Sequence, residues 1–459
     1  MKKVLIISNN SGGGHRHTAG TLTQALTQYG WQPEVVSIYQ EIFPDYFNIL
    51  GIEGEAFYNK LVLTREMTGF VYRLFFICAY YLIMVPHRQK LAKRLAEFLA
   101  QKQPDLVISL IPGLNQIIAD SVRQVEPPIP FAILQTDLFE FHEPFWLTPK
   151  GSWFVADDHT YTIVGTDEAY QQVCSMFVTD TERVFKLSGT LINPCFFEKP
   201  QFDIAAERRI LGLASDRPVG LFLYGGFAPH RVLKAAKALN RLGSEAQFIF
   251  ICGKNEVLKH RLEAVATRYN KVVVGYTSQV PYYMHLSDFL IGKPGPGTIM
   301  EGLAANLPLL MDISNVIIHE SNNIAWVERY GFGLSFNDTT QLLARIEELS
   351  RPDVYDPLKR RVSAYQNRAV LEILGIIETI MDHFQARQAA SVEPKPITSE
   401  RSEPPFGYAQ DKPQIRTARA DRIAPHLRMI RSSIKRVIFK GVRQKLRDSN
   451  DNENSVGQT

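Results

Sequence analysis

Short runs of apolar, mostly β-branched residues recur through this chain, and most lead into a turn and then a helix. The first series reads "VLIIS" (4–8), "PEVVSIY" (33–39), "DLVISL" (105–110), "FAILQTD" (131–137) and "TIVGTD" (162–167). Helical stretches from about Thr18 to Tyr29 and up to about Ala100 separate these runs. Continuous apolar strands between helices indicate a parallel sheet covered on both faces. The pattern then restarts with "RPVGLFLYGG" (217–226), "AQFIFICGKN" (246–255), "KVVVGYT" (271–277), "DFLIGKPGPGT" (288–298) and "LPLLMD" (307–312). Two doubly wound α/β domains are therefore expected, over residues 1–195 and 196–385, joined near "SGTLINPCFFEKP" (188–200). A chain of 459 residues is long enough for both cores. Residues 386–459 open on a Pro-, Ser- and charge-rich stretch without apolar periodicity, which reads as a disordered linker.

Two glycine-rich turns stand out. In "SGGGHRHTAG" (11–20), Gly12, Gly13 and Gly14 let a ligand come close to the backbone, and the helix that follows offers unpaired N–H groups. A dinucleotide fingerprint would need glycine where His17 stands and an acidic end to the second strand, which instead ends "SIYQ". At a helix N-terminus the protonated form of His15 is disfavoured, which suits a general base. A capping or packing histidine is the plain alternative. His17, two residues on, faces elsewhere, so the two do not form a metal pair.

The second turn, "GKPGPGTIMEGLAANLP" (292–308), joins a strand to a helix expected to begin at Thr298. Backbone N–H groups, the Thr298 hydroxyl and the helix dipole make an anion site there. Glu301, one turn further, can accept hydrogen bonds from a ribose diol. No GKT or GKS follows the glycines, which excludes a P-loop.

Together, "SGGGHRHTA", "LQTD", "SGTLINPCF", "YGG", "CGKNEVLKHRLE", "VVGYT", "KPGPGTIMEGL" and "HESNN" resemble, in order and spacing, the monogalactosyldiacylglycerol synthase and processive diacylglycerol glucosyltransferase group of glycosyltransferase family 28. The resemblance covers about residues 1–375. It implies a GT-B fold, two Rossmann-like domains facing across a cleft, and an inverting hexosyltransferase that uses a UDP-sugar without a metal or other cofactor. His15 then matches the base that deprotonates the diacylglycerol hydroxyl, with Asp137 of "QTD" beside it on the acceptor side. Gly225 and Gly226 match the turn opening the donor domain; Cys252, Gly253, Lys254 and Asn255 match a strand end beside the nucleotide. Tyr276 and Thr277 match the segment meeting uracil, and Gly295, Pro296, Gly297, Thr298 and Glu301 the pyrophosphate and ribose loop. Where the group typically has "PGQEAGN", this chain has "VIIHESNN". Glu320 and Asn323 line up with sugar-reading positions, but His319 replaces the glutamine, so the hexose, galactose or glucose, stays open. A polyprenyl-linked sugar is an alternative acceptor, and a non-catalytic lipid-binding scaffold is the rival reading.

Membrane signals lie at two places. "GFVYRLFFICAYYLIMVP" (69–86) with the basic "HRQKLAKR" (87–94) reads as an interfacial segment, against the alternative of a core helix. From Ser391 onward there are 14 Lys and Arg against 8 Asp and Glu, so the basic character of a chain of net charge +4 belongs to its tail. Within residues 425–447, Leu427, Ile430, Ile434, Val437 and Ile438 recur at helical spacing among Arg and Lys, the pattern of a basic amphipathic helix for an anionic membrane. Nucleic acid is not expected as a partner, since no reading domain accompanies these charges. Cys78, Cys174, Cys195 and Cys252 form no CxxC pair, and "MKKVLIISNN" lacks a cleavage site. A cytoplasmic protein, peripheral on the cytosolic face of a membrane, is the expectation.

Overall fold

In a computed structural model, the structure describes residues 1–9, 14–49, 52–53, 85–138, 159–176, 181–314, 316 and 320–392. The first half holds β1 (Lys3–Ser8), β2 (Gln32–Ser37), a two-residue antiparallel hairpin of β3 (Asn48–Ile49) and β4 (Ile52–Glu53), then β5 (Leu106–Ser109), β6 (Phe131–Leu134), β7 (Thr160–Val164) and β8 (Val184–Lys186). Apart from the hairpin these strands form a parallel sheet in the order β2-β1-β5-β6-β7-β8. The second half repeats the plan with β9 (Val219–Leu223), β10 (Gln247–Ile251), β11 (Lys271–Val274), β12 (Phe289–Gly292), β13 (Leu309–Asp312) and β14 (Gly333–Phe336), ordered β11-β10-β9-β12-β13-β14.

Each sheet is covered on both faces because successive side chains point to opposite sides. Leu5, Ile7, Phe131 and Ile133 pack with Leu91 and Leu95 of the helix Val85–Lys102 and with Ile117 and Ile118 of the helix Asn115–Val122. On the reverse face Val4, Ile6, Leu106 and Leu134 meet Leu22 and Leu26 of the first helix, Gly14–Gln28. In the second half, Leu221, Leu290 and Leu309 pack with Ile299 and Leu303, while Phe222, Phe248 and Phe250 pack with Val232 and Ala236. Burying each such side chain contributes about 1.5–3 kcal/mol.

In both sheets the order reverses direction at one point, between β1 and β5 and between β9 and β12, and the helices that follow leave on opposite faces. Such a switch opens a crevice beyond the carboxyl ends of the strands. The helix start at Gly14, after β1, and the glycine turn after β12 lie one at each crevice.

The domain boundaries need correcting. The last helix, Ala369–Val392, packs not on the second sheet but on the first, where Ile373, Ile377 and Ile380 are fully buried against the core around Val4 and Ile6. It also runs seven residues into the expected linker, where Ala, Arg and Gln, all good helix formers, prolong it beyond its last buried residue, Phe384. The chain thus crosses between the halves twice, at Ser188–Thr190 and at Tyr365–Arg368. The two crossings are stitched together: the Tyr365 hydroxyl donates to the Ser188 carbonyl at 2.9 Å and the Asn367 amide to the Thr190 carbonyl at 2.8 Å. Glu372 accepts from the Ser188 N–H at 2.8 Å.

Among the described residues no helix is long and apolar enough to cross a membrane. The segments expected to touch a membrane fall largely outside the described residues: 69–84 and 425–447 do, and 85–94 opens the helix Val85–Lys102.

Candidate active site

Gly12 and Gly13 lie outside the described residues, and Gly14 begins the first helix, four residues earlier than expected. The low helix propensity of glycine hides that start from a sequence reading. His15 therefore sits in the first turn, partly buried, with Nδ1 3.4 Å from the hydroxyl of Thr136. Thr136 and Asp137 directly follow β6, and both are buried at 9% exposure. The "QTD" segment and His15 are thus brought together at the carboxyl edge of the first sheet. Gln135, on the other face of that strand end, is 2% exposed, and neither end of its amide has a hydrogen-bond partner.

On the second sheet, the β9 and β10 turns interlock. Gly225 and Gly253 have positive φ of 77° and 59°. A Cβ on Gly253 would stand 2.3 Å from the Gly226 carbonyl oxygen, which accepts from the Lys254 N–H at 2.9 Å. Only glycine allows the two turns to approach this closely. Asn255 differs from expectation. It is 3% exposed and its side chain is engaged within the protein, accepting from the Leu258 N–H at 3.0 Å as the cap of the helix Glu256–Ala264 and donating to the Ala228 carbonyl at 2.7 Å. Its side chain thus holds the turn in shape. Tyr276 is exposed, with the Lys254 ammonium 5.4 Å above its ring, and the Thr277 hydroxyl accepts from the Gln279 N–H at 2.9 Å.

The helix after β12 starts at Pro296, with Gly295 as its N-cap, so Thr298 lies buried within the first turn and not at the cap. Proline at the first helical position presets φ and removes an N–H that would have no intrahelical partner. Gly297 has nothing within 4 Å of where a Cβ would be, leaving the helix mouth open to an anion.

Around this mouth stand groups that the sequence alone did not assemble. The Lys293 ammonium is 2.9 Å from the Glu320 carboxylate, and Glu320 is 5% exposed. Asn323, fully buried, donates to the Pro294 carbonyl at 2.9 Å. Glu320 and Asn323, expected to read a sugar, thus support the loop, one through Lys293 and one through the backbone. His319 lies outside the described residues. Beneath the loop, Asp312 at the end of β13 is 3% exposed and accepts from the Tyr224 hydroxyl at 2.8 Å, from Arg231 Nε at 2.7 Å and from the Ser314 N–H at 3.0 Å. Burial, with Asp312 alongside, pushes the Tyr224 hydroxyl well above its ordinary pKa. Among the described residues no three His, Cys, Asp or Glu side chains are grouped as a metal would require.

The two halves meet here. His17 Nδ1 lies 3.5 Å from Oε1 of Glu301, whose side chain is 12% exposed. His15 and His17 are about 200° apart around the helix, so the first turn touches Thr136 of its own sheet with one side and the Glu301 helix with the other. Sequence reasoning separated the two histidines correctly but had no local signal for His17's partner, 284 positions away.

Residues 225–359 match the glycosyltransferase family 28 C-terminal domain. Over 396 residues the chain is 26% identical to the processive diacylglycerol β-glucosyltransferase of Bacillus pumilus, covering 83% of this chain and 94% of that one. Over 366 residues it is 26% identical to monogalactosyldiacylglycerol synthase 1 of Arabidopsis thaliana, covering 75% and 64%. Among solved structures, MurG of Acinetobacter baumannii superposes with a TM-score of 0.54 at 13% identity, covering 82% of this chain and 99% of that chain. The paired parallel sheets are the GT-B arrangement expected from the sequence. The chain is thus similar along most of its length to diacylglycerol glycosyltransferases, and the greater part of its second half matches the glycosyltransferase family 28 C-terminal domain.

Proposed function

We propose that this protein is an inverting hexosyltransferase that moves a sugar from a UDP-hexose to the hydroxyl of 1,2-diacylglycerol. The observation that carries the reading is the meeting of the first turn with the Glu301 helix, which brings the His15 end of one half to the anion-binding helix of the other. The relatives named above act on diacylglycerol by their names, and they match along most of this chain.

In this reading His15 takes the proton of the acceptor hydroxyl, with Thr136 beside its ring and Asp137 orienting the acceptor or the base. The hydroxyl oxygen attacks the anomeric carbon from the side opposite the nucleotide. The new glycosidic bond forms as the bond to the diphosphate breaks, and UDP leaves with the electron pair. The helix start at Gly295–Thr298 and the Lys293 ammonium meet the developing charge, a role a metal ion fills in other transferases. Glu301 reads the ribose diol, and Tyr276 and Thr277 border the base. The acceptor is lipid, so the protein works at a membrane surface, peripherally and from the cytosolic side, with the basic segments 87–94 and 425–447 drawing it to anionic lipid.

The test is incubation with UDP-glucose or UDP-galactose and diacylglycerol in vesicles with and without phosphatidylglycerol, followed by glycolipid analysis. A glycolipid made with one donor, and lost by about 10²–10⁴-fold in His15→Ala, is the expected result. Absence of transfer to any lipid, with no thermal stabilisation by UDP, refutes the reading and favours a scaffold.

A further inference from the structure

His17 is the residue of the first turn that the chemistry above leaves unused. Its ring is 73% exposed, so it is not there to fill a core, yet it reaches a carboxylate of the opposite half. We propose that His17 is a positioning residue of the donor site, which holds the Glu301 carboxylate from across the cleft and so couples nucleotide affinity to the helix that carries His15. The proposal rests on the donor role given to Glu301 above.

The geometry supports a shared carboxylate, not a blocked one. His17 engages Oε1 alone, and each carboxylate oxygen accepts more than one hydrogen bond, so a ribose diol can approach the remaining positions. Glu301 is held by its helix on one side and is largely enclosed, so its rotamer is the freedom left to fix. Imidazolium on Oε1 fixes it. The carboxylate in turn raises the His17 pKa above its usual 6.5, mainly by hydrogen bonding, against burial and the neighbouring Arg16, which lower it. Among the described residues the charged groups facing His17 are Glu301 on the donor helix and Arg16 on its own. Cys195, on the segment Pro194–Phe196 packed beside that helix, feels the same carboxylate. The contact is therefore fully formed at low pH and weakens as pH rises through the raised value.

The experiment measures UDP dissociation constants from pH 5.5 to 9 for the full chain and for His17→Ala, His17→Gln and Glu301→Ala, with donor KM and kcat at pH 7. Removing an exposed charged partner is expected to weaken UDP binding about three- to fivefold at pH 6 in His17→Ala, with the difference vanishing near pH 9. His17→Gln, which keeps an N–H donor, recovers part of the affinity but without the pH dependence. Donor KM rises in proportion while kcat stays within about twofold. Unliganded melting temperatures match, as expected for an exposed side chain. If the unaltered protein binds no UDP, the donor reading falls and this one with it. If it binds UDP and Glu301→Ala loses affinity, while His17→Ala is unchanged or tighter at every pH, the His17 role alone is overturned. A collapse of kcat in His17→Ala would also overturn it.

Discussion

Replacing Asp312 with alanine should destabilise the second half without touching its hydrophobic core. Asp312 is 3% exposed and accepts from Tyr224, from Arg231 and from both the N–H and the hydroxyl of Ser314, the last at 2.6 Å. Arg231, whose side chain is 20% exposed, would keep its stacking 5.1 Å above the Tyr224 ring but lose its counter-charge. Breaking a largely buried pair by removing one member costs about 3–5 kcal/mol; taking the lower value, because Arg231 retains some water and its aromatic contact, gives about 3 kcal/mol. A body of this size loses about 2–4 °C per kcal/mol, so the melting temperature should fall by about 6–12 °C. The double variant Arg231→Met, Asp312→Ala should recover part of the loss, since no cation is then left without its partner. Calorimetry with urea titration measures both. A fall under about 2 °C in Asp312→Ala, or a double variant less stable than the single one, would refute the argument that this carboxylate acts as a paired buried charge.

Other consequences are open to measurement. Gln135→Met should raise the melting temperature, because a buried amide without partners costs about 1–3 kcal/mol; a lower value would show that the amide is satisfied in solution. Gly253→Ala should lose UDP binding and destabilise the fold by about 3 kcal/mol or more, since its Cβ would sit 2.3 Å from the Gly226 oxygen at a φ of 59°; an unchanged protein by calorimetry and UDP titration would contradict this. Burial pushes the Cys252 thiol up to about 12, so alkylation at pH 8 should leave it intact in the folded protein while the more exposed Cys174 reacts. Mass spectrometry reads the difference, and equal labelling would refute it.

The central strands of both sheets are legible in the sequence because each is buried on two faces and reads as an unbroken apolar run. At the edges the signal is mixed: β2 and β11 read as strands, but β8, "VFK", and β14, "GLSF", carry fewer apolar residues and are partly exposed, so they do not. The residue types at the two glycine turns declared an anion site and a base, but not how the site is braced. Lys293 with Glu320, Asn323 with the Pro294 carbonyl and His17 with Glu301 pair residues far apart in the chain or engage backbone atoms, and neither leaves a periodic trace. Asn255 likewise has a role that its motif did not declare, since its side chain is the cap that keeps its turn in shape.

The return of the last helix has a consequence for synthesis. Ile373, Ile377 and Ile380 complete the core on one face of the first sheet, so a ribosome-bound chain that has released everything up to residue 368 still exposes the part of that face that the first helix leaves open. The second half, all of whose strands lie between residues 219 and 336, is free to close before the first one does. The usual vectorial order, N-terminal domain first, is then reversed, and the nascent first sheet, covered on that face by the first helix alone, is the part that a chaperone would have to shield until the last helix emerges.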